Sequence, residues 1–153
     1  VFWKELGRAR QVTTVVLAVV LFVAISGLLA RFLSAEGVER DDIYAVLQAQ
    51  AAGNVQSMLD DQAGCRQRPS CVATTYANAR SLRRNGAVKI LTLASPTAHT
   101  LTGATGQTRV AWTVIGQRPV VQCVEVRRTG DFLRGIAVTL VSISAPIPNE
   151  GDC

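Results

Sequence analysis

The sequence predicts an α+β fold, with an N-terminal transmembrane helix followed by helices packed on a curved antiparallel sheet of four to five strands. Three observations carry that reading. Residues 11–30 contain no charged side chain, apolar residues recur at helical spacing between Val38 and Leu82, and the period becomes two after Gly86. The chain has 153 residues, of which 48% are hydrophobic and 18% charged. That length suits one domain with an appended segment, and a disordered chain would be poorer in apolar residues and richer in charge. The scattered glycines and prolines exclude collagen-like and low-complexity classes.

The segment QVTTVVLAVVLFVAISGLLA, residues 11–30, is twenty residues long. As a helix it spans about 30 Å, the thickness of the bilayer hydrocarbon. Val is a weak helix former in water, but in lipid the backbone must satisfy its own hydrogen bonds, so a helix is expected. Two other readings compete. A buried core helix would have to be apolar on every face inside a small domain. A cleaved signal peptide has a shorter apolar region, about 7–15 residues, and Leu33 stands where a small residue is wanted before Ser34 and Ala35. Lys4, Arg8 and Arg10 precede the segment with only Glu5 opposing them, and Arg31 and Arg40 follow among four acids. This bias places residues 1–10 as a cytoplasmic tail and the remainder outside. Trp3 and Phe32 are expected near the two interfaces. Residues 31–37 are a short juxtamembrane connection, whose pattern allows a helix, and residues 38–153 form the extracytoplasmic domain.

Cys65, Cys71, Cys123 and Cys153 all follow the membrane segment. An even number on one side of a membrane suits disulfides in an oxidising compartment. Four cysteines allow three pairings. Cys65 and Cys71 enclose the short loop GCRQRPSC and form the preferred local pair, which leaves Cys123 to hold the terminal Cys153 and staple PIPNEGDC to the sheet. Zinc is the alternative, but the spacings match no short-knuckle pattern and His99 is the only histidine. Buried free thiols are the third possibility. Prenylation is excluded because Cys153 is terminal.

Val38, Ile43, Leu47, Ala51, Val55, Met58 and Leu59 recur every one to five residues as one apolar helical face. Glu39, Asp41 and Asp42 fall in the expected first turns, where the helix dipole favours acids, and Gly64 is the expected stop. A second helix is expected to start with Ser70 as N-cap, to place Val72, Tyr76, Ala79 and Leu82 inward, and to end at Asn85-Gly86. AVKILTLAS is then a strand, residues 97–102 are a further candidate, and GATG is a turn. RVAWTVI sets Val110, Trp112 and Val114 on one face. VVQCVEVRR follows Gly116-Gln117, with Val121, Cys123 and Glu125 opposing Val120, Val124 and Val126. Thr129, Gly130 and Asp131 are read as a turn, and IAVTLVSIS closes the sheet, with Ile136, Val138, Leu140 and Ser142 against Ala137, Thr139, Val141 and Ile143. Short connections make the strands antiparallel neighbours, and strands that follow helices argue α+β.

This layout of one anchor, two helices, a cysteine loop and a terminal antiparallel sheet resembles the nuclear-transport-factor-2-like (cystatin-like roll) class. Its most recognisable strings are PVVQCVEVRRTGD and GIAVTLVSISAPI, and the match covers about residues 10–145. The resemblance is closest to single-pass actinobacterial members, including mammalian-cell-entry-associated membrane proteins, and to inner-membrane bridging components of type IV secretion systems. It implies an assembly or scaffold role at the cell envelope.

Enzymes of that roll set an Asp, Tyr or His inside a conical cavity. The candidates here are Asp60, Asp61, Tyr44, Tyr76 and His99, and each has a plainer structural reading as a solvated or core residue. No phosphate loop, Ser–His–acid set or HExxH occurs, so no catalytic residue, cofactor or metal is assigned. Charge is more informative. Residues 36–62 hold six acids and one arginine, whereas residues 63–90 hold Arg66, Arg68, Arg80, Arg83, Arg84 and Lys89 with no acid. Mutual compensation is the bland account. The sharper one is docking of an acidic partner or anionic headgroups, with Arg80, Arg83 and Arg84 as contacts. Nucleic acid fits poorly, since one aromatic, Tyr76, interrupts the basic stretch. The expected partners are the bilayer and other membrane or envelope proteins, this chain included. The expected function is a non-enzymatic envelope scaffold. The alternative is a small-ligand or lipid-binding module with a cavity lined by Val, Leu and Trp112.

Overall fold

The computed structural model describes residues 2–95, 103–131 and 135–153. His99, the strand expected over residues 97–102, and the side chains of Trp3, Phe32 and Ile136 lie outside what is described. The chain forms two compact units, Val1–Ser34 and Ala35–Cys153.

The first unit is helical. Helix α1 covers Phe2–Ala52, so residues 31–37 are helical, as their pattern allows. Within α1, Val12–Ala30 is long and apolar enough to cross a membrane, and none of it is buried in protein.

In the second unit α1 ends at Ala52, well before the expected stop at Gly64. Gly53 adopts φ +72° and its N–H donates to Gln50 O, while Asn54 N–H donates to Ala49 O (2.8 Å). This pair of bonds is a Schellman closure, in which a left-handed residue satisfies the last carbonyls. A Cβ at Gly53 would meet Arg83 Cδ at 3.2 Å and Ala79 O at 3.5 Å, so both lie close to the break. The Asn54 side chain then caps α2 (Val55–Asp61) by accepting from Ser57 N–H. After a 3₁₀ turn at Cys65–Gln67, α3 spans Pro69–Ser81. Arg68 holds the N-cap position and Pro69 the first turn, which corrects the expected Ser70 cap. Pro favours that position because its missing N–H is one the helix start cannot use.

The four strands β1 (Val88–Ala94), β2 (Ala104–Val114), β3 (Val120–Asp131) and β4 (Gly135–Ile143) form an antiparallel meander in the order β1-β2-β3-β4. Two expected turns are strand instead: GATG lies at the start of β2, where Ala104 pairs with Arg128, and Thr129 to Asp131 ends β3. Long-range pairing overrides the turn preference of their glycines. A bulge opposite Glu125 and Val126 adds Val141 to β4, so Leu140 and Ile143 are both buried and simple alternation fails there.

One core joins helices and sheet. It contains Ile43, Val46, Leu47 and Ala51 of α1, Met58, Ala79, Leu82, Val110, Trp112 and Val114 of β2, Val120, Val124 and Val126 of β3, and Leu140 and Ile143 of β4. Polar groups cross the same interface. Glu39 is 1% exposed and forms an ion pair with Arg128, 2% exposed, while Thr108 Oγ1 donates to Glu39 Oε1 (2.7 Å). Glu39 is therefore mid-helix and buried, not a solvated first-turn acid. Gln50 Nε2 and Trp112 Nε1 both donate to Gln122 Oε1 (2.9 and 2.8 Å), and Gln122 Nε2 donates to Ser144 O.

The cysteines pair as Cys65–Cys71 and Cys123–Cys153. The tail is also held by Ile147 N–H to Val121 O, and by the Arg109 guanidinium donating to Gly151 O and Asn149 O.

Glu39→Gln or Arg128→Met alone should cost about 3–5 kcal/mol by stranding a buried charge, and Glu39→Leu with Arg128→Met should recover most of it. Thermal unfolding of the full chain in detergent, followed by intrinsic fluorescence, measures both. Cys153→Ser should cost about 2–4 kcal/mol, and added reductant should lower the wild type by more than the variant, which has only the Cys65–Cys71 bridge to lose.

Candidate functional site

The site is built on the outer face of α3. The inner face is polar: Cys71, Thr75, Asn78 and Ala79 are buried, and Leu82 follows just past the helix. Val72 is half-buried, and Tyr76 is 53% exposed rather than inward. The expected face is thus rotated, because Thr75 and Asn78 have partners inside. Gln62 Nε2 donates to Met58 O and Thr75 Oγ1 (2.8 and 3.2 Å), Ile143 N–H donates to Gln62 Oε1, and Asn78 Nδ2 donates to Ser144 O (2.9 Å). Buried polar groups with partners cost little, so the helix need not be apolar where it meets the sheet. The Cys65–Cys71 bridge fastens its first turn.

With that face fixed, Tyr76 and Arg80 are exposed on the outer side of α3, and the exposed Arg83 follows just past its end. They line a groove of about 660 Å³ with Gly53, Val55, Ala77 and Ala79. The Schellman turn at Gly53 forms the opposite wall, and its lack of a side chain keeps the groove open beside Arg83.

The basic residues divide sharply. Arg84 is half-buried, donates to Arg118 O (2.7 Å) and stacks 5.2 Å over the Trp112 ring, so it braces the core rather than facing a partner. Arg68 donates to Ala63 O, Gly64 O and Val141 O. Arg66 pairs with Asp60 at 2.5 Å on the surface. Arg80 and Arg83 are exposed and make no hydrogen bond or ion pair among the described residues. Of the three arginines chosen from sequence, two therefore stand together and available.

The acids gather elsewhere. Asp42, Asp60 and Asp61 line a second recess of about 220 Å³ against Ala45, Ala63 and residues 138–140 of β4. Desolvation and the nearby Asp41 and Asp61 charges raise the Asp42 pKa, and desolvation with the Asp60 charge raises that of Asp61. Asp60 and Asp61 also stand at the C-terminal end of α2, where the helix dipole disfavours negative charge.

The candidate catalytic groups do not converge. Asp60 and Asp61 are in solvent, and Tyr44 is 41% exposed with its hydroxyl 3.5 Å from Gln48 Oε1. Trp112, expected to line a ligand cavity, is wholly buried and hydrogen-bonded in the core. The interior carboxylate that sequence reasoning missed is Glu39, held by Arg128. Its signal was its helical spacing to Ile43 and Val46, combined with the alternation that puts Arg128 on the face of Val124 and Val126.

The chain matches no protein-family model, no curated protein and no solved structure. Fold and site define its class directly. It is an α+β domain with helices on a four-stranded antiparallel meander, two disulfides and an N-terminal helix long enough to cross a bilayer.

A raised carboxyl pKa means that the folded state holds its proton more tightly than the unfolded chain. The charged acids therefore weaken the fold at neutral pH, and this penalty fades as pH falls through the raised pKa and is gone below the ordinary value of 3.8. Asp42→Asn and Asp61→Asn should each raise the unfolding temperature at pH 7 and leave it unchanged below pH 3.8. Melting curves across that range measure the difference.

Proposed function

We propose that this chain is a bitopic membrane protein whose C-terminal domain faces outward and docks other components of a cell-envelope assembly. The groove of Tyr76, Arg80 and Arg83 carries this reading, because the fold uses the neighbouring cations internally and leaves these two at an open recess. Tyr supplies rigid contact area and Arg a planar, directional charge, a composition that interfaces favour. An acidic or anionic surface is the complementary partner.

The orientation rests on charge and cysteine chemistry. Lys4, Arg8 and Arg10 form the short basic flank of the apolar segment, and such flanks stay in the cytoplasm. Two disulfides in the C-terminal unit suit the oxidising side. The layout's resemblance to the nuclear-transport-factor-2-like membrane proteins of actinobacteria and to secretion-system bridging components points the same way.

Alkaline carbonate should leave the chain in the membrane pellet, and a protease added to intact cells should remove the C-terminal domain. Arg80→Glu with Arg83→Glu should then abolish capture of envelope partners from detergent extracts, while Lys89→Glu on β1 should not. Release by carbonate sinks the membrane reading, and equal capture by the groove variant sinks the docking face.

A further inference from the structure

We infer that the groove of Tyr76, Arg80 and Arg83 receives the acidic face of a second copy of this chain, so that the protein associates with itself through surfaces of opposite sign. This rests on the groove being a docking face and names its occupant. The site is the groove, and the acidic face is what fills it.

The two surfaces answer each other. Arg80 and Arg83 are exposed at an open recess and have no counter-charge among the described residues. Asp42, Asp60 and Asp61 line a separate recess, Asp60 is engaged by Arg66, and the exposed Asp41 adds its charge beside Asp42. Val55, at the start of α2, lines the groove, whereas Asp60 and Asp61, at its end, line the acidic recess. The two patches therefore open from different ends of one seven-residue helix, and the acidic patch of one copy can meet the groove of the next. Desolvation, with like-charge crowding second, already makes the Asp42 and Asp61 charges unfavourable in the isolated domain. Fold stability does not account for that arrangement, and arginines from a neighbour would relieve it. A membrane anchor adds to the effect by confining all copies to one surface and raising their effective concentration. Because the two faces differ, the contact is heterologous: repeated from copy to copy it either closes as a ring or propagates as a row.

The test uses the full-length chain in a neutral detergent, studied by sedimentation over a concentration series. Self-association should appear and weaken as ionic strength rises from about 0.05 to about 0.5 M, because exposed charges are screened. Arg80→Glu with Arg83→Glu, and separately Asp41→Lys with Asp61→Lys, should each weaken it at least roughly tenfold, since both place like charges together. An equimolar mixture of the two variants should associate again, because complementarity is restored in the mixed pair. All four positions are exposed, and near-UV circular dichroism checks the fold. Should a reversal disturb it, Arg80→Gln with Arg83→Gln and Asp41→Asn with Asp61→Asn give the same ordering with smaller effects. A monomeric wild type at low salt, variants that associate like wild type, or a mixture that stays monomeric overturns the inference. If the wild type is monomeric while the groove variant still loses capture of envelope proteins, the occupant is a different acidic protein and only the self-association fails.

Discussion

Glu39 and Arg128 meet in the interior, with Thr108 as a third partner, and both charges are buried. The interaction joins α1, β2 and β3 at one point. A desolvated pair of this kind contributes little net stability against an apolar substitute, but it punishes every arrangement that separates the charges. Rolling α1 by one residue would carry Glu39 away from the sheet. Slipping β3 by one residue would turn Arg128 to the other face, along with Val124 and Val126. The pair therefore sets which face of α1 is inside and which register the sheet takes. The apolar core, which tolerates several packings, is then held to one.

The remaining polar contacts extend the same logic along the helix–sheet seam. The Gln50 and Gln122 amides, the Trp112 indole and Ser144 O form one connected set, and Gln62, Thr75 and Ile143 N–H form another. Networks whose members all find partners specify geometry more sharply than apolar packing does. Here they fix the rotation of α3, which depends on Thr75 and Asn78 being inside. The exposure of Tyr76 and Arg80 on its outer side is the consequence. Gly53 contributes from the other side by ending α1 early and leaving space for the groove.

The domain spends much of its basic charge on its own structure. Arg68 closes the loop against β4, Arg84 lies over Trp112, Arg109 grips the tail and Arg128 neutralises Glu39. Arg40, Lys89, Arg118 and Arg127 are exposed as well, and Arg80 and Arg83 differ from them in sharing one recess. The acidic surface carries a cost in the domain itself, because desolvation and neighbouring acids disfavour the Asp42 and Asp61 charges.

Some of this was determined by the sequence by itself. Twenty uncharged residues set the length of the apolar helix, the spacing of four cysteines favoured the two bridges, and alternation put Val110, Trp112 and Val114 on the core face. Each is a local property of chain length, spacing or period. The tertiary structure decided the rest. It buried Glu39, Arg128 and Thr108, whose periodicity placed them inward although their chemistry argued against it, because only their meeting makes burial tolerable. It drew the glycine-bearing ends of β2 and β3 into strand by pairing each with a neighbour, and it took Arg84 out of the candidate surface by placing Trp112 beneath it. Such outcomes depend on partners distant in sequence, and a local pattern carries no information about which partner arrives.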